Sequence, residues 1–170
     1  IRWGKKTDTI IHVLNQSIES ANPDIILLQE VDEYKKRSRM TDLPKIIAEA
    51  TGLYCSYGME FREAENGSTG NMILSRYPLE NVKIIRLQQE CGFMNTAYRR
   101  IYGGRMAVVG VISKGGLNFT VCCTHLGTDF EREGGPGGRL NQLKKLFHEL
   151  GKINYTTPDI IGGDLNTYRK

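Results

Sequence analysis

No apolar run in this chain approaches the roughly 20 residues that cross a bilayer as a helix, so no transmembrane segment is expected. Internal repeats, long linkers and low-complexity tracts are also missing, which leaves one packed unit. Its four cysteines, Cys55, Cys91, Cys122 and Cys123, form no C-x-x-C pair and no Cys/His cluster of zinc-like spacing. Cys122 and Cys123 are adjacent, so on a strand they point to opposite faces. Buried free thiols are expected, with one disulfide left open. A strong charge excess is lacking as well. The net charge of +4 suits an anionic substrate but falls far short of a dedicated nucleic-acid binder. There is no initiator Met: the chain opens on Ile1-Arg2-Trp3, and its true beginning is expected elsewhere.

What is present is enough for a core. A chain of 170 residues suits one domain, and 39% hydrophobic with 25% charged residues argues against disorder. Four N-x-S/T sequons, at Asn15, Asn66, Asn118 and Asn154, fit a secreted protein, although such tripeptides also arise freely in cytosolic ones. Thr7 or Asp8 can cap a helix with Ile10, Ile11, Leu14 and Ile18 on one side, stopped by Asn22-Pro23-Asp24. Residues 25–28 are all apolar and read as a fully buried strand. Thr41-Asp42-Leu43-Pro44 starts a second helix that ends near Gly52. Short strands follow at 72–74 and 82–87, and 105–112 with 117–124 form a hairpin across Lys114-Gly115-Gly116. A Gly-rich loop at 134–138 leads to a helix with Leu140, Leu143, Leu146, Phe147 and Leu150, and a last strand at 159–161 runs into Gly162-Gly163-Asp164-Leu165-Asn166. Helices at the start, middle and end around a block of strands make an α/β protein with mixed sheets.

Polar residues recur where apolar strands end. Glu30 follows Ile-Ile-Leu-Leu-Gln, His125 follows Val-Cys-Cys-Thr, and Asp164 follows Ile-Ile-Gly-Gly. Such ends converge on one rim of an α/β sheet, and ligands bind there. One carboxylate on that rim can hold Mg²⁺, a second can orient or deprotonate a water, and an imidazole or amide can bond phosphoryl oxygens as charge builds on them. Each also has a plainer reading: a solvated turn acid, a structural His, or a tight turn in which Asp and Asn bond their own backbone. Three such ends in one chain favour the chemical reading.

The ordered set of motifs resembles the endonuclease/exonuclease/phosphatase superfamily, whose fold is that of the pancreatic-type deoxyribonuclease. The matching pieces are Pro23-Asp24-Ile25-Ile26-Leu27-Leu28-Gln29-Glu30-Val31, then Gly70-Asn71-Met72-Ile73-Leu74-Ser75-Arg76-Tyr77-Pro78-Leu79, Arg105, Thr124-His125-Leu126, Arg139 with Gln142, and Gly163-Asp164-Leu165-Asn166. The resemblance implies a four-layer α/β/β/α sandwich with mixed sheets, incomplete in this chain, and hydrolysis of a phosphodiester or phosphomonoester bond. It implies Mg²⁺, with Mn²⁺ as the substitute, held by Glu30. By the same transfer Asp164 positions or activates the water, Asn166 contacts the scissile phosphate or orients Asp164, and His125 stabilises the phosphoryl oxygens or the leaving side. Asn71 lines the cleft or caps a strand; Arg105 faces phosphate or is salt-bridged on its strand. Arg139 is expected to pair with a carboxylate at its helix start.

Two departures matter. The family pattern has a strand ending in Asn just before the segment that here starts at Ile1, and an Asp-His pair well past Gly-Asp-x-Asn, whereas this chain stops at Lys170. Residues 1–170 therefore read as a single domain lacking its first strand and C-terminal part, to be completed by a further segment or a second chain, and inactive alone. Ser68 and Thr69 stand where the abasic-site nucleases carry a Tyr. Gly-Gly-Asp-Leu-Asn is also similar to sphingomyelinase-like members. The substrate is accordingly a nucleic acid or a phospholipid-type head group, and a non-catalytic binding module on the same fold is the reading from another class.

Overall fold

A computed structural model describes residues 7–62, 67–87, 104–127, 138–153 and 158–167 of the chain. Ile1-Arg2-Trp3, Cys91, the sequons at Asn66 and Asn154, most of the 134–138 loop and Lys170 lie outside the described residues. Three helices are described: α1 (Thr7–Ala21), α2 (Leu43–Thr51) and α3 (Arg139–Lys152). The strands are β1 (Ile25–Lys35), β2 (Thr41–Asp42), β3 (Tyr54–Arg62), β4 (Ser68–Ser75), β5 (Glu80–Arg86), β6 (Met106–Lys114), β7 (Leu117–His125) and β8 (Ile160–Asp164).

They make two sheets of four strands, ordered β2-β1-β4-β3 and β5-β6-β7-β8. The first is wholly antiparallel; in the second, β7 and β8 run parallel, so only that sheet is mixed. α1 and α2 cover the outer face of the first sheet. Leu14, Leu43 and Ile47 pack there on Leu28, Val31, Met72 and Leu74. α3 covers the outer face of the second, setting Leu146 and Leu150 against Ala107, Val109 and Cys122. Between the sheets lie Ile73, Met106, Val108, Ile112, Val121 and Cys123. This is the four-layer α/β/β/α sandwich. Cys122 belongs to the helix-side core and Cys123 to the inter-sheet core, as their adjacency on one strand requires.

Local chemistry explains the helix ends. Asp8 lies in the first turn of α1, where a carboxylate meets the positive end of the helix dipole. The Asp42 carboxylate accepts from Lys45 N at 3.1 Å at the start of α2, and Gly52 ends that helix at φ 68°, a conformation that costs a glycine little.

The strands depart from expectation in four places. Residues 25–28 are not fully buried: only Leu28 is, while Ile25 to Leu27 stay partly exposed on a strand that runs on to Lys35. The 72–74 segment is the middle of an eight-residue strand buried throughout. β3 was not anticipated, because its inter-sheet positions hold Ser56, Gly58 and Glu60 rather than an apolar row. β8 has exposed Ile160 and Ile161, so it is an edge strand among the described residues and not a buried one. On α3, Leu140 and Phe147 are exposed, and buried Gln142 takes a place in the apolar stripe with Leu146 and Leu150.

Candidate active site

Strand direction brings the polar ends together. Lys114 Nζ meets Asp24 Oδ2 at 2.5 Å, tying the start of β1 to the β6–β7 turn. Further along, Gln29 Nε2 donates to Cys123 Sγ at 3.3 Å and Cys123 Sγ donates to Leu28 O at 3.6 Å. β1 and β7 therefore run the same way across the inter-sheet core, and Glu30 emerges near the end where β7 finishes at His125. Glu30 lies in a bulge: the β1–β4 register shifts between Leu28 and Val31, and Glu30 has φ 55°. A bulge bends the strand and re-aims its side chain, and a left-handed backbone at a residue that is not glycine is the kind of strain found at functional sites. Burial pushes the Cys123 thiol up to about 11, which removes it as a nucleophile here.

His125 and Asp164 face each other because β7 and β8 are parallel neighbours in register. His125 Nε2 lies 3.7 Å from Asp164 Oδ2, with the imidazole 6% exposed and the carboxylate 54% exposed. Behind the imidazole stands Glu60, which the sequence reading missed. Its Oε2 is 3.4 Å from His125 Nδ1, and its Oε1 accepts from Arg105 Nη1 at 2.6 Å. The Glu60 carboxylate is 1% exposed. It sits at a second bulge, between Met59 and Phe61. Arg105 lies just before β6 and stacks its guanidinium 5.6 Å from the Phe61 ring centroid. The period-two alternation of Cys55, Tyr57, Met59 and Phe61 is the signal that could have located this strand, and with it Glu60 on the opposite face.

The Gly-Gly before Asp164 has a steric reason. A Cβ on Gly162 would sit 2.5 Å from Leu27 Cδ1, and one on Gly163, whose φ is 134°, would collide with Thr124 O. Two glycines thus let β8 lie close against β7 and β1. Beyond them Asn166, at φ 51°, donates its backbone N–H to Asp164 Oδ1 at 2.9 Å and its Nδ2 to Leu126 O at 2.8 Å. Leu126 N donates in turn to Asp164 O at 2.9 Å. Arg139, at the start of α3, donates to the Asn166 carbonyl. Gln142 Oε1 accepts from Gly127 N at 2.8 Å.

Asn71 is fully buried between the sheets, with Nδ2 donating to Met106 O at 3.2 Å. Its Oδ1 and His125 Nδ1 are the buried side-chain atoms without a hydrogen-bond partner among the described residues. The structure thus brings His125, Asp164, Asn166, Glu60 and Arg105 into one contact network. Glu30 lies on β1, which runs in the direction of β7, and Asn71 is buried between the sheets. No group of three metal-binding side chains exists among the described residues. Zinc-type cages need such a group, whereas Mg²⁺ takes one or two carboxylates and fills its other positions with water and substrate oxygens. A half-buried Glu30 is a carboxylate of the second kind.

Several solved structures share this fold. The human Nocturnin catalytic domain, solved with a bound sulfate anion, is 22% identical with a TM-score of 0.64, the match covering 95% of this chain and 57% of that one. ANGEL2, a 2',3'-cyclic phosphatase in complex with adenosine-2',3'-vanadate, is 18% identical with a TM-score of 0.65 over 98% of this chain and 45% of its own. TDP2 from Caenorhabditis elegans is 24% identical with a TM-score of 0.57 over 94% and 42%. The chain therefore spans 42–57% of the length of these structures, and at such identities the likeness shows the fold. No curated protein matches by sequence. The family model of the Endonuclease/Exonuclease/phosphatase family matches residues 2–169, nearly the whole chain, and the protein belongs to that family.

Proposed function

We propose that the protein hydrolyses a phosphoester, most directly a phosphodiester, at the rim formed by Glu30, His125 and Asp164. The observation that carries this reading is the pairing of a buried imidazole with an exposed carboxylate at the ends of two parallel strands, 3.7 Å apart, with Glu60 behind the imidazole. Asp164 is exposed enough to meet a water, and the Asn166 N–H on its Oδ1 leaves Oδ2 toward His125. Asp164 orients that water and takes its proton. His125 Nε2 donates to a phosphoryl oxygen as negative charge builds. Glu60 stands 3.4 Å from His125 Nδ1 and holds Arg105, so the burial of the Glu60 and Arg105 charges is offset by their pairing. Asn71 braces the two sheets beneath the site through Met106 O. Mg²⁺ bound by Glu30, with Mn²⁺ as substitute, would supply positive charge beside the phosphoryl oxygens. ANGEL2, a 2',3'-cyclic phosphatase, was solved in complex with adenosine-2',3'-vanadate, which favours a nucleotide or nucleic-acid ester over a lipid head group for this chain.

The test is hydrolysis of bis-p-nitrophenyl phosphate, an oligonucleotide and a choline phospholipid by the full-length protein, each with and without Mg²⁺. Metal-dependent cleavage of the first two with no phosphocholine release is expected. Absence of turnover on all three, or turnover unchanged by Asp164→Asn, rejects the proposal.

A further inference from the structure

Gln142 is an amide where the helix pattern calls for an apolar side chain. It is 0% exposed and shares a stripe of α3 with Leu146 and Leu150. A buried amide is costly unless its hydrogen bonds are made, so the residue is poorly explained by packing. What it gains is the Gly127 N–H, at 2.8 Å, two residues beyond His125. Three residues earlier on the same helix, Arg139 donates to the Asn166 carbonyl, two residues beyond Asp164. The two segments are also tied to each other, because Leu126 uses both its backbone groups on the β8 side: N–H to Asp164 O at 2.9 Å and C=O from Asn166 Nδ2 at 2.8 Å. Each segment that follows a site-bearing strand end is thus held both by its neighbour and by α3.

We infer that Arg139 and Gln142 are positioning residues: the first turn of α3 clamps the segments after β7 and β8 into one unit and thereby sets the spacing of His125 and Asp164. This rests on the phosphoesterase reading of that pair. An error of about 1 Å in such a spacing costs on the order of a hundredfold in rate, so a clamp acting only through geometry has a measurable effect on turnover.

The experiment compares Gln142→Leu, which keeps the volume and removes the acceptor, with Gln142→Glu, which keeps an acceptor for Gly127. Leu146→Ala serves as a control that weakens the packing of the same helix while leaving the hydrogen bonds of Arg139 and Gln142 in place. Gln142→Leu is expected to lower kcat at least about tenfold at unchanged KM and to speed amide exchange at Gly127, with both restored by Gln142→Glu. Leu146→Ala is expected to lower Tm as much while leaving kcat near wild type. Wild-type Gly127 protection in Gln142→Leu, or an equal kcat loss in Leu146→Ala, overturns the inference. Should the wild-type protein show no turnover, the functional proposal fails instead, and Gly127 exchange still decides whether the clamp exists.

Discussion

His125 and Asp164 are register partners on adjacent parallel strands, where a buried imidazole lies 3.7 Å from an exposed carboxylate. The 54% exposure of the Asp164 side chain means that its charge does little for the fold. Asp164→Asn keeps an oxygen for the Asn166 N–H and is expected to shift unfolding free energy by no more than about 0.5 kcal/mol. Turnover is expected to fall at least about a hundredfold, the scale of a lost general base. Urea unfolding and steady-state kinetics on the same preparation check both halves.

Glu60 behaves oppositely. Its carboxylate is 1% exposed and holds Arg105, itself 15% exposed. Glu60→Ala strands a buried guanidinium and is expected to cost about 3–5 kcal/mol, read as a lower urea midpoint. Glu60→Gln retains an oxygen for Arg105 and is expected to cost less. Equal stability of the Ala variant and wild type would show that the pair is solvated in solution.

Glu30 lies at φ 55° in a bulge at the rim. Glu30→Gln is expected to weaken Mg²⁺ binding at least about tenfold, since losing even a partner of a metal ligand costs that much. Circular dichroism should be unchanged. Isothermal titration with Mg²⁺ measures the effect, and an unaltered affinity removes Glu30 from the metal assignment.

Burial also sets an alkaline limit. Desolvation pushes the Cys122 thiol from 9.0 to about 12. Below pH 9 both states keep the proton. Between 9 and about 12 the unfolded thiol ionises and the folded one does not, so the unfolded state binds fewer protons and stability falls as pH rises. Cys122→Ala should flatten the loss of unfolding free energy between pH 8 and pH 11 relative to wild type. Parallel slopes in the two proteins would contradict the burial of that thiol.

Local features were legible in the chain because their causes are local. Asp42, Pro44 and Gly52 mark α2 through a cap, a fixed φ and a left-handed stop. Lys114-Gly115-Gly116 marks the β6–β7 turn through the positive φ of its glycines, 60° and 79°. The polar residues at the ends of β7 and β8 could be picked out because apolar runs precede them, whereas Glu30, expected at a strand end, lies inside β1, which runs on to Lys35. β3 could not, since its polar face turns inward, where Gly58 makes room for Met106 and Val108. The bulge at Glu30 was equally hidden, because it exists only as a register shift against β4.

The sequence by itself determined the helix limits, the hairpin and which side chains stand at strand ends, since each depends on near neighbours and on backbone preference. Only the tertiary structure decided what those side chains meet. Glu60 and Arg105 are 45 residues apart in the chain, and Asn166 and Leu126 are 40 apart. Their contacts come from stacking two sheets and laying α3 across the ends of β7 and β8. No local propensity encodes that step. It follows from burying three separate apolar faces at once.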